Sequence, residues 1–309
     1  MLLVANGSVF TRNAQTPFIP NGAVAIDGDT IVEVGPECEL KAKYPDAEYV
    51  DAQGNLIMPG LVNCHTHIYS GLARGLAIRG CNPTNFLENL EQQWWKIDDN
   101  LTLDGTKASA YATILDSIRD GVTTIFDHHA SFCEIPGSLF TIKDAAQELG
   151  MRSCLCYEVS DRRSQEKCDQ AIAENAEFAQ WAAKERRDND NHMIAAMPNV
   201  GWCEAMTMLF ENNAKMASKY FDRKLGVLEP GAAADVIVMD YKPFTPLSEE
   251  NIDGHMLFGM MGKNCRTTII NGRVLYKDRE FVGIDEDKIN AWTMAESKKL
   301  WSTLNDRAY

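Results

Sequence analysis

Between Leu56 and Met197 the sequence alternates apolar runs of strand length with amphipathic stretches of helical period. This rhythm restricts the fold more than any other feature. "LIMPGLVNCHTH", "VTTIFDHH", "MRSCLCYEV" and "HMIAAM" read as strands buried on both faces. Between them lie "NLTLDGTKASAYATILDSIRDG", "GSLFTIKDAAQELG" and "SQEKCDQAIAENAEFAQWAAKERRD", with apolar residues at helical spacing. Antiparallel neighbours can be joined by a two-residue turn, but parallel strands need a crossover of a dozen or more residues. The alternation therefore predicts parallel β/α units. Four such strands precede the point, after Met197, where the rhythm stops.

The flanks are built differently. Residues 1–57 alternate in the two-residue period of strands, broken at "NGS", "NG", "DGD" and "AQGN". "GAVAIDGDTIVEVG" predicts two short strands about an Asp-Gly turn. A helix is expected over 198–221. After it, "KLGVLEPGAAADVIVMDY" returns to short strands, and "RTTIINGRVLYKDREFVG" predicts a hairpin turning at Asn-Gly. The tail, "DEDKINAWTMAESKKLWSTLNDR", predicts a closing helix. β-type segments thus stand on both sides of a β/α centre.

Charge narrows the partners. The formal net charge of −14 argues against nucleic acid or an anionic membrane, since both select clustered Lys and Arg. "KERRDND" is the nearest approach to a basic cluster, and its own acids cancel it. No apolar run approaches the roughly 18 residues of a spanning helix, and the N-terminus reads as a strand rather than a signal peptide. The nine cysteines are scattered without C-x-x-C or paired spacing, which points to a reduced, cytoplasmic protein. A homo-oligomer is a reasonable default assembly.

His65 and His67 close the first apolar run. At i and i+2 on a strand, their side chains share one face. At the C-terminal end of a parallel strand they would project into the mouth where β/α enzymes place their chemistry. A same-face imidazole pair presents two nitrogens to one divalent cation, whereas catalytic zinc takes three protein ligands and keeps an open position.

"MPGLVNCHTH" after a β-rich N-terminus resembles the first barrel strand of the amidohydrolase superfamily. "KLGVLEPGAAADVIVMDY" with "TTIINGRVLYKD" resembles the C-terminal β segment found beside that barrel. Within the superfamily, "FLENLEQQWWKIDDNLT", "GVTTIFDHHAS" and "YEVSDR" look like the aminohydrolase branch. That branch includes guanine deaminase, triazine chlorohydrolases and, most similar, the selenium-associated aminohydrolases. The resemblance implies an α/β fold: a (β/α) TIM-type barrel plus a small β domain formed by both termini. It also implies hydrolysis of carbon–nitrogen bonds other than peptide bonds, on a small heterocyclic substrate. The expected cofactor is one divalent metal ion, zinc in preference to iron, with His65 and His67 as two of its ligands.

The chain departs from that pattern after its fourth strand. The resemblance implies a third His and a Glu on strand five, a His on strand six and an Asp on strand eight. No segment of this sequence reads like them, so no residue is assigned a catalytic role. Pro59 to Leu225 falls well short of the roughly 250 residues of an eight-fold barrel. Strands five to eight are expected to be missing, with an apparent deletion near 196–198. A truncated product, a piece of a longer protein and a half-barrel that completes itself by pairing all stay open. The expected domains are therefore 1–57 and 225–284 as a composite β domain, 58–224 as a partial barrel and 285–309 as a C-terminal helix. The alternative to an enzyme is a non-catalytic, truncated family member or a half-barrel interaction protein.

Four further residues are candidate substrate contacts. His128 follows the second strand beside His129. Glu158 and Arg162 follow the third, where an Arg fork suits a carboxylate or polar heterocycle. Trp94 lies in the long loop after strand one and offers an aromatic wall.

Overall fold

The computed structural model describes residues 1–197, 213–243, 245–248, 252, 255 and 264–306. The chain divides into two compact units, one of Met1–Asn63, Ser117–Thr124 and Cys203–Ile284, the other of Cys64–Asp116, Ile125–Trp202 and Asp285–Tyr309.

A nine-stranded sheet draws on both ends of the sequence. β1 (Leu2–Phe10), β2 (Phe18–Asp27) and β3 (Thr30–Pro36) form an antiparallel meander, turning between β2 and β3 at Gly28, whose φ is +57°. α1 (Glu37–Lys43) leads to β4 (Glu48–Asp51), which pairs parallel to β1, as does β5 (Leu56–Pro59). From the other end come β10 (Val236–Met239), β11 (Cys265–Ile270), β12 (Arg273–Lys277) and β13 (Glu280–Phe281). The order is β13-β12-β11-β10-β5-β1-β2-β3, so the antiparallel β10–β5 pair joins the two terminal segments. Asn271 and Gly272 turn the β11–β12 hairpin with φ of 50° and 76°, the backbone that Asn-Gly favours. Val4, Val24, Ile26, Ile57, Val236 and Ile269 meet in one buried cluster.

A second sheet has the order β6-β7-β8-β9, in chain order: β6 (Leu61–Thr66), β7 (Val122–His129), β8 (Arg152–Tyr157) and β9 (Ile194–Ala196). The crossovers are helical, and β8 and β9 pair parallel from Ser153↔Ile194 to Leu155↔Ala196. This is the partial (β/α) barrel, with four strands among the described residues. Of the helix expected over 198–221, α7 (Asn213–Phe221) is described; the rest, and with it residue 198 at the expected deletion, lies outside the described residues.

The apolar run 56–66 was expected as one strand. It is two, in two different sheets, and Gly60 makes the break. A Cβ there would stand 2.3 Å from Thr123 Cγ2, and the Gly60 N–H is taken by the Asp235 carbonyl at 3.0 Å. Pro59 before it has no N–H to continue a ladder.

The loop expected after strand one is largely helical. A 3₁₀ turn (Ile68–Ala73) is followed by α2 (Phe86–Asn89), a π-type turn (Leu90–Trp94) and α3 (Trp95–Asp98). Asn85 caps α2 by accepting the Glu88 N–H at 3.0 Å, while the Glu88 carboxylate accepts the Thr84 N–H at 2.7 Å. This reciprocal capping is a helix-start signal that "TNFLE" carries. α4 (Leu103–Arg119), α5 (Ser138–Leu149) and α6 (Gln165–Asn189) complete the crossovers. The buried Glu174 of α6 caps α5, accepting the Gly137 and Leu139 N–H groups at 2.7 and 2.8 Å. α8 (Glu286–Asp306) lays Leu300 and Leu304 against Leu72, Ile97 and Leu101, and Trp301 donates its indole N–H to the Leu72 carbonyl at 2.8 Å.

Candidate functional site

β6 ends at Thr66, so His65 is its penultimate residue and His67 begins the following turn. Both rings are exposed, and their Nε2 atoms stand 3.1 Å apart. Two imidazoles bound to one tetrahedral zinc at about 2.0–2.1 Å place their nitrogens about 3.3 Å from each other, so this pair fits one cation. His67 Nδ1 lies 3.0 Å from the His128 carbonyl. A carbonyl can only accept, so Nδ1 carries the hydrogen and Nε2 keeps its lone pair. The Asp127 carboxylate accepts the Ile68 N–H at 2.6 Å and so fixes the backbone just after His67.

The β7 strand end brings His128 into the same group. Its ring centroid is 4.8 Å from that of His65 and 6.0 Å from that of His67. His128 Nδ1 stands 3.6 Å from Cys156 Sγ on β8. His129 faces elsewhere: it is fully buried, with Nε2 2.9 Å from Ser131 Oγ. Burial, and then the charges of His65 and His67, push the His128 pKa down to about 4; burial alone pushes His129 down to about 3. Burial raises the Cys156 thiol to about 12. Among the described residues no group of three or more His, Cys, Asp or Glu side chains is arranged to hold a metal ion.

A second constellation collects the other candidates. The Arg162 guanidinium bonds both Glu158 and Asp98, and it lies over the Phe132 ring at 4.0 Å and the Trp95 ring at 5.2 Å. Asp98 is 1% exposed. Its burial pushes the carboxyl up to about 8, against the pull of Arg162. Tyr69 stands between the groups, with its ring 5.6 Å from His67 and 6.5 Å from Trp94. Trp94 itself is partly buried against the Leu72, Ile97 and Leu101 cluster. Asp98, Tyr69 and Cys156 escaped the sequence reading. Cys156 reads there as a small buried apolar residue, and Asp98 is 64 residues from its partner.

The buried carboxyls set a pH dependence. Burial also raises Asp127 to about 8. An Asp whose folded pKa is raised contributes stability that is complete below its unfolded pKa near 3.9 and is lost as pH rises through about 8. The depressed His128 and His129 act oppositely, adding stability as pH rises to about 6.5. Between about pH 6.5 and 8 only the carboxyl part remains, at up to ~1.4 kcal/mol per pH unit for each group. Urea unfolding across that interval should show stability falling, and Asp98→Asn should roughly halve the slope.

The comparisons with known proteins agree with this fold. The Amidohydrolase family matches residues 56–220, more than half of the chain, and the bacterial imidazolonepropionase-like composite domain matches residues 22–47. A 5'-deoxyadenosine deaminase of Methanococcoides burtonii is 30% identical over 184 residues, covering 59% of this chain and 39% of that protein. The chain thus matches about two fifths of that curated relative's length. Among solved structures, a triazine hydrolase from Arthrobacter aurescens gives a TM-score of 0.70 at 16% identity, covering 96% of this chain and 99% of that one. An adenosine deaminase from Xanthomonas campestris with bound zinc gives 0.64 at 15% identity, covering 97% and 98%. A β domain drawn from both termini, a parallel strand ending in the paired histidines and a family match across that strand and the crossovers after it together place this chain in the amidohydrolase family.

Proposed function

We propose that this chain is the cation-anchoring part of an aminohydrolase, a hydrolase of carbon–nitrogen bonds other than peptide bonds acting on an amino-bearing heterocycle. The 3.1 Å approach of the His65 and His67 Nε2 atoms carries this reading. The family match and the deaminase names of the relatives support the reaction class. His65 and His67 would hold one divalent metal ion, zinc before iron, since zinc accompanies two of the structurally similar enzymes. When bound, such a cation supplies Lewis acidity and draws the pKa of water from about 15.7 toward roughly 7.

The chain's own groups do the positioning. The His128 carbonyl holds the His67 tautomer, and Asp127 fixes the turn behind it. His128, Glu158, Arg162 and Trp94 are the proposed substrate contacts, with Glu158 the more open partner of Arg162. The proposed partner is a small molecule, neither nucleic acid nor membrane; no helix among the described residues is long and apolar enough to cross a bilayer. The cytoplasm is the proposed compartment, on the scattered cysteines. A homo-oligomer is the proposed assembly.

One observation favours a second reading, a non-catalytic family member or a half-barrel that works by association. Among the described residues the barrel sheet has four strands, and the site has two converging donors where catalytic zinc takes three. Metal analysis and ammonia release separate the two. The enzyme reading expects one equivalent of zinc, retained through a desalting column, and ammonia from adenine-type nucleosides, both abolished by His65→Ala. Zinc retention without ammonia selects the second reading; no retained zinc sinks the anchor itself.

A further inference from the structure

β7 and β8 bring a thiol behind an imidazole. Cys156 Sγ lies 3.6 Å from the Asp127 carbonyl oxygen and 3.6 Å from His128 Nδ1. The cysteine is 4% exposed, which keeps bulk water from replacing either contact. A carbonyl oxygen only accepts, a thiol has one hydrogen and a neutral imidazole has one N–H. One assignment puts a hydrogen in both contacts: the S–H donates to the Asp127 carbonyl, and the sulfur accepts the His128 Nδ1–H. The opposite assignment, S–H to Nδ1, leaves sulfur and carbonyl oxygen facing each other as two acceptors. The surroundings therefore select the Nδ1–H tautomer.

That tautomer leaves Nε2 as a lone pair on the far side of the ring from the sulfur. His128 is half-buried, and Cys156 is the one side-chain hydrogen-bond partner of its ring among the described residues. The ring stands beside the exposed pair, its centroid 4.8 Å from that of His65 and 6.0 Å from that of His67. Its Nε2 does not join the 3.1 Å approach of the other two, and among the described residues no three such groups are arranged to hold a metal ion. An imidazole fixed in this way can, without moving, accept a hydrogen bond from whatever lies against the pair.

We infer that Cys156 is a positioning residue that holds His128 in the Nδ1–H tautomer, so that His128 Nε2 accepts a ring N–H or amino N–H of the substrate. This deepens the reading of the chain as part of an aminohydrolase and rests on it. The selected class is an amino-bearing heterocycle with a free N–H on the edge that meets His128. A heterocycle whose amino group is fully alkylated has no hydrogen to give there. A site built to bond an N–H rejects the analogue that lacks it, because its own polar group is left unpaired. His128 keeps its ring where it stands and takes no part in holding the cation.

The test uses the full 309-residue chain with isotope-labelled histidine, before and after zinc is added. Long-range proton–nitrogen spectra distinguish a protonated ring nitrogen from a bare one, and His128→Gln identifies the signals of that residue. In the wild type His128 should show Nδ1 protonated and Nε2 bare, and zinc should leave both shifts in place. Cys156→Ala should give the averaged shifts of two exchanging tautomers. Cys156→Ser, which still donates and accepts, should restore the wild-type pattern. Adenine should move the Nε2 shift toward that of a protonated nitrogen. It should also bind roughly tenfold more tightly than N,N-dimethyladenine, a preference that His128→Ala erases. Near-UV circular dichroism checks folding; should Cys156→Ala not fold, the wild-type and Cys156→Ser spectra decide. A proton on His128 Nε2, a zinc-induced shift there, or the wild-type pattern persisting in Cys156→Ala overturns the positioning role. Equal affinity for the two purines, or a Nε2 shift that adenine leaves unmoved, overturns the acceptor role and leaves the aminohydrolase reading intact. If neither purine binds, that reading and the acceptor role fall together, and the spectra still decide the tautomer.

Discussion

Arg162→Ala should destabilise the chain by about 3–5 kcal/mol, the cost of stripping one partner from a buried ion pair. The side chain is 11% exposed and its partner Asp98 only 1%. Truncation removes three things at once: the bond to Asp98, the bond to Glu158 and the cover over the Phe132 and Trp95 rings. Asp98 is already pushed up to about 8 by burial. Without the guanidinium its pKa rises further, so the carboxyl, already mostly protonated at pH 7, keeps its proton to higher pH. The variant should therefore lose stability with rising pH over a range extending above pH 8, where the wild type has levelled off. Arg162→Lys should recover only part of the loss, because an ammonium lacks the planar fork that serves two carboxylates and stacks on a ring. Urea midpoints at pH 6.5 and 8.5 measure both effects. A loss below about 1 kcal/mol in the alanine variant would put this network among the surface ion pairs.

Phe178→Ala should cost a similar amount, about 3–5 kcal/mol, for an unrelated reason. Phe178 is fully buried in α6, with its ring 5.4 Å from Phe140 on α5 and 5.7 Å from Trp181. Those edge and tilted contacts fix the packing of the two helices, and removing the ring leaves a cavity that two neighbouring aromatics cannot close by a small shift. Phe178→Leu should recover more than half. If thermal melts place alanine and leucine together, the site collapses readily and the cavity account fails.

Much of the fold was legible because it is written locally. The Asp27-Gly28 and Asn271-Gly272 turns, and the helix stop at Gly150, follow from which residues tolerate positive φ. The alternation of strands and helices announced the partial barrel, and strands at both ends announced the composite sheet. The paired histidines were visible as a two-residue period on a strand. The division at Gly60 was not visible, since an apolar run looks alike whether it stays in one sheet or passes into another. What decides is Thr123, far along the chain, against which only a glycine fits. The helical turns from Phe86 to Asp98 were missed although Asn85 and Glu88 signal them. The Arg162–Asp98 bond and the Cys156–His128 contact join residues 64 and 28 positions apart, and no period or motif encodes such a meeting.

The indole of Trp301 is bonded to the Leu72 carbonyl across 229 positions of sequence. Closing a loop of that length comes late, because its entropy must be paid before the contact rewards it. The turn that follows the second histidine is thus sealed by residues translated long after it. Until those later residues are made, the imidazole pair sits beside a turn whose cover is missing.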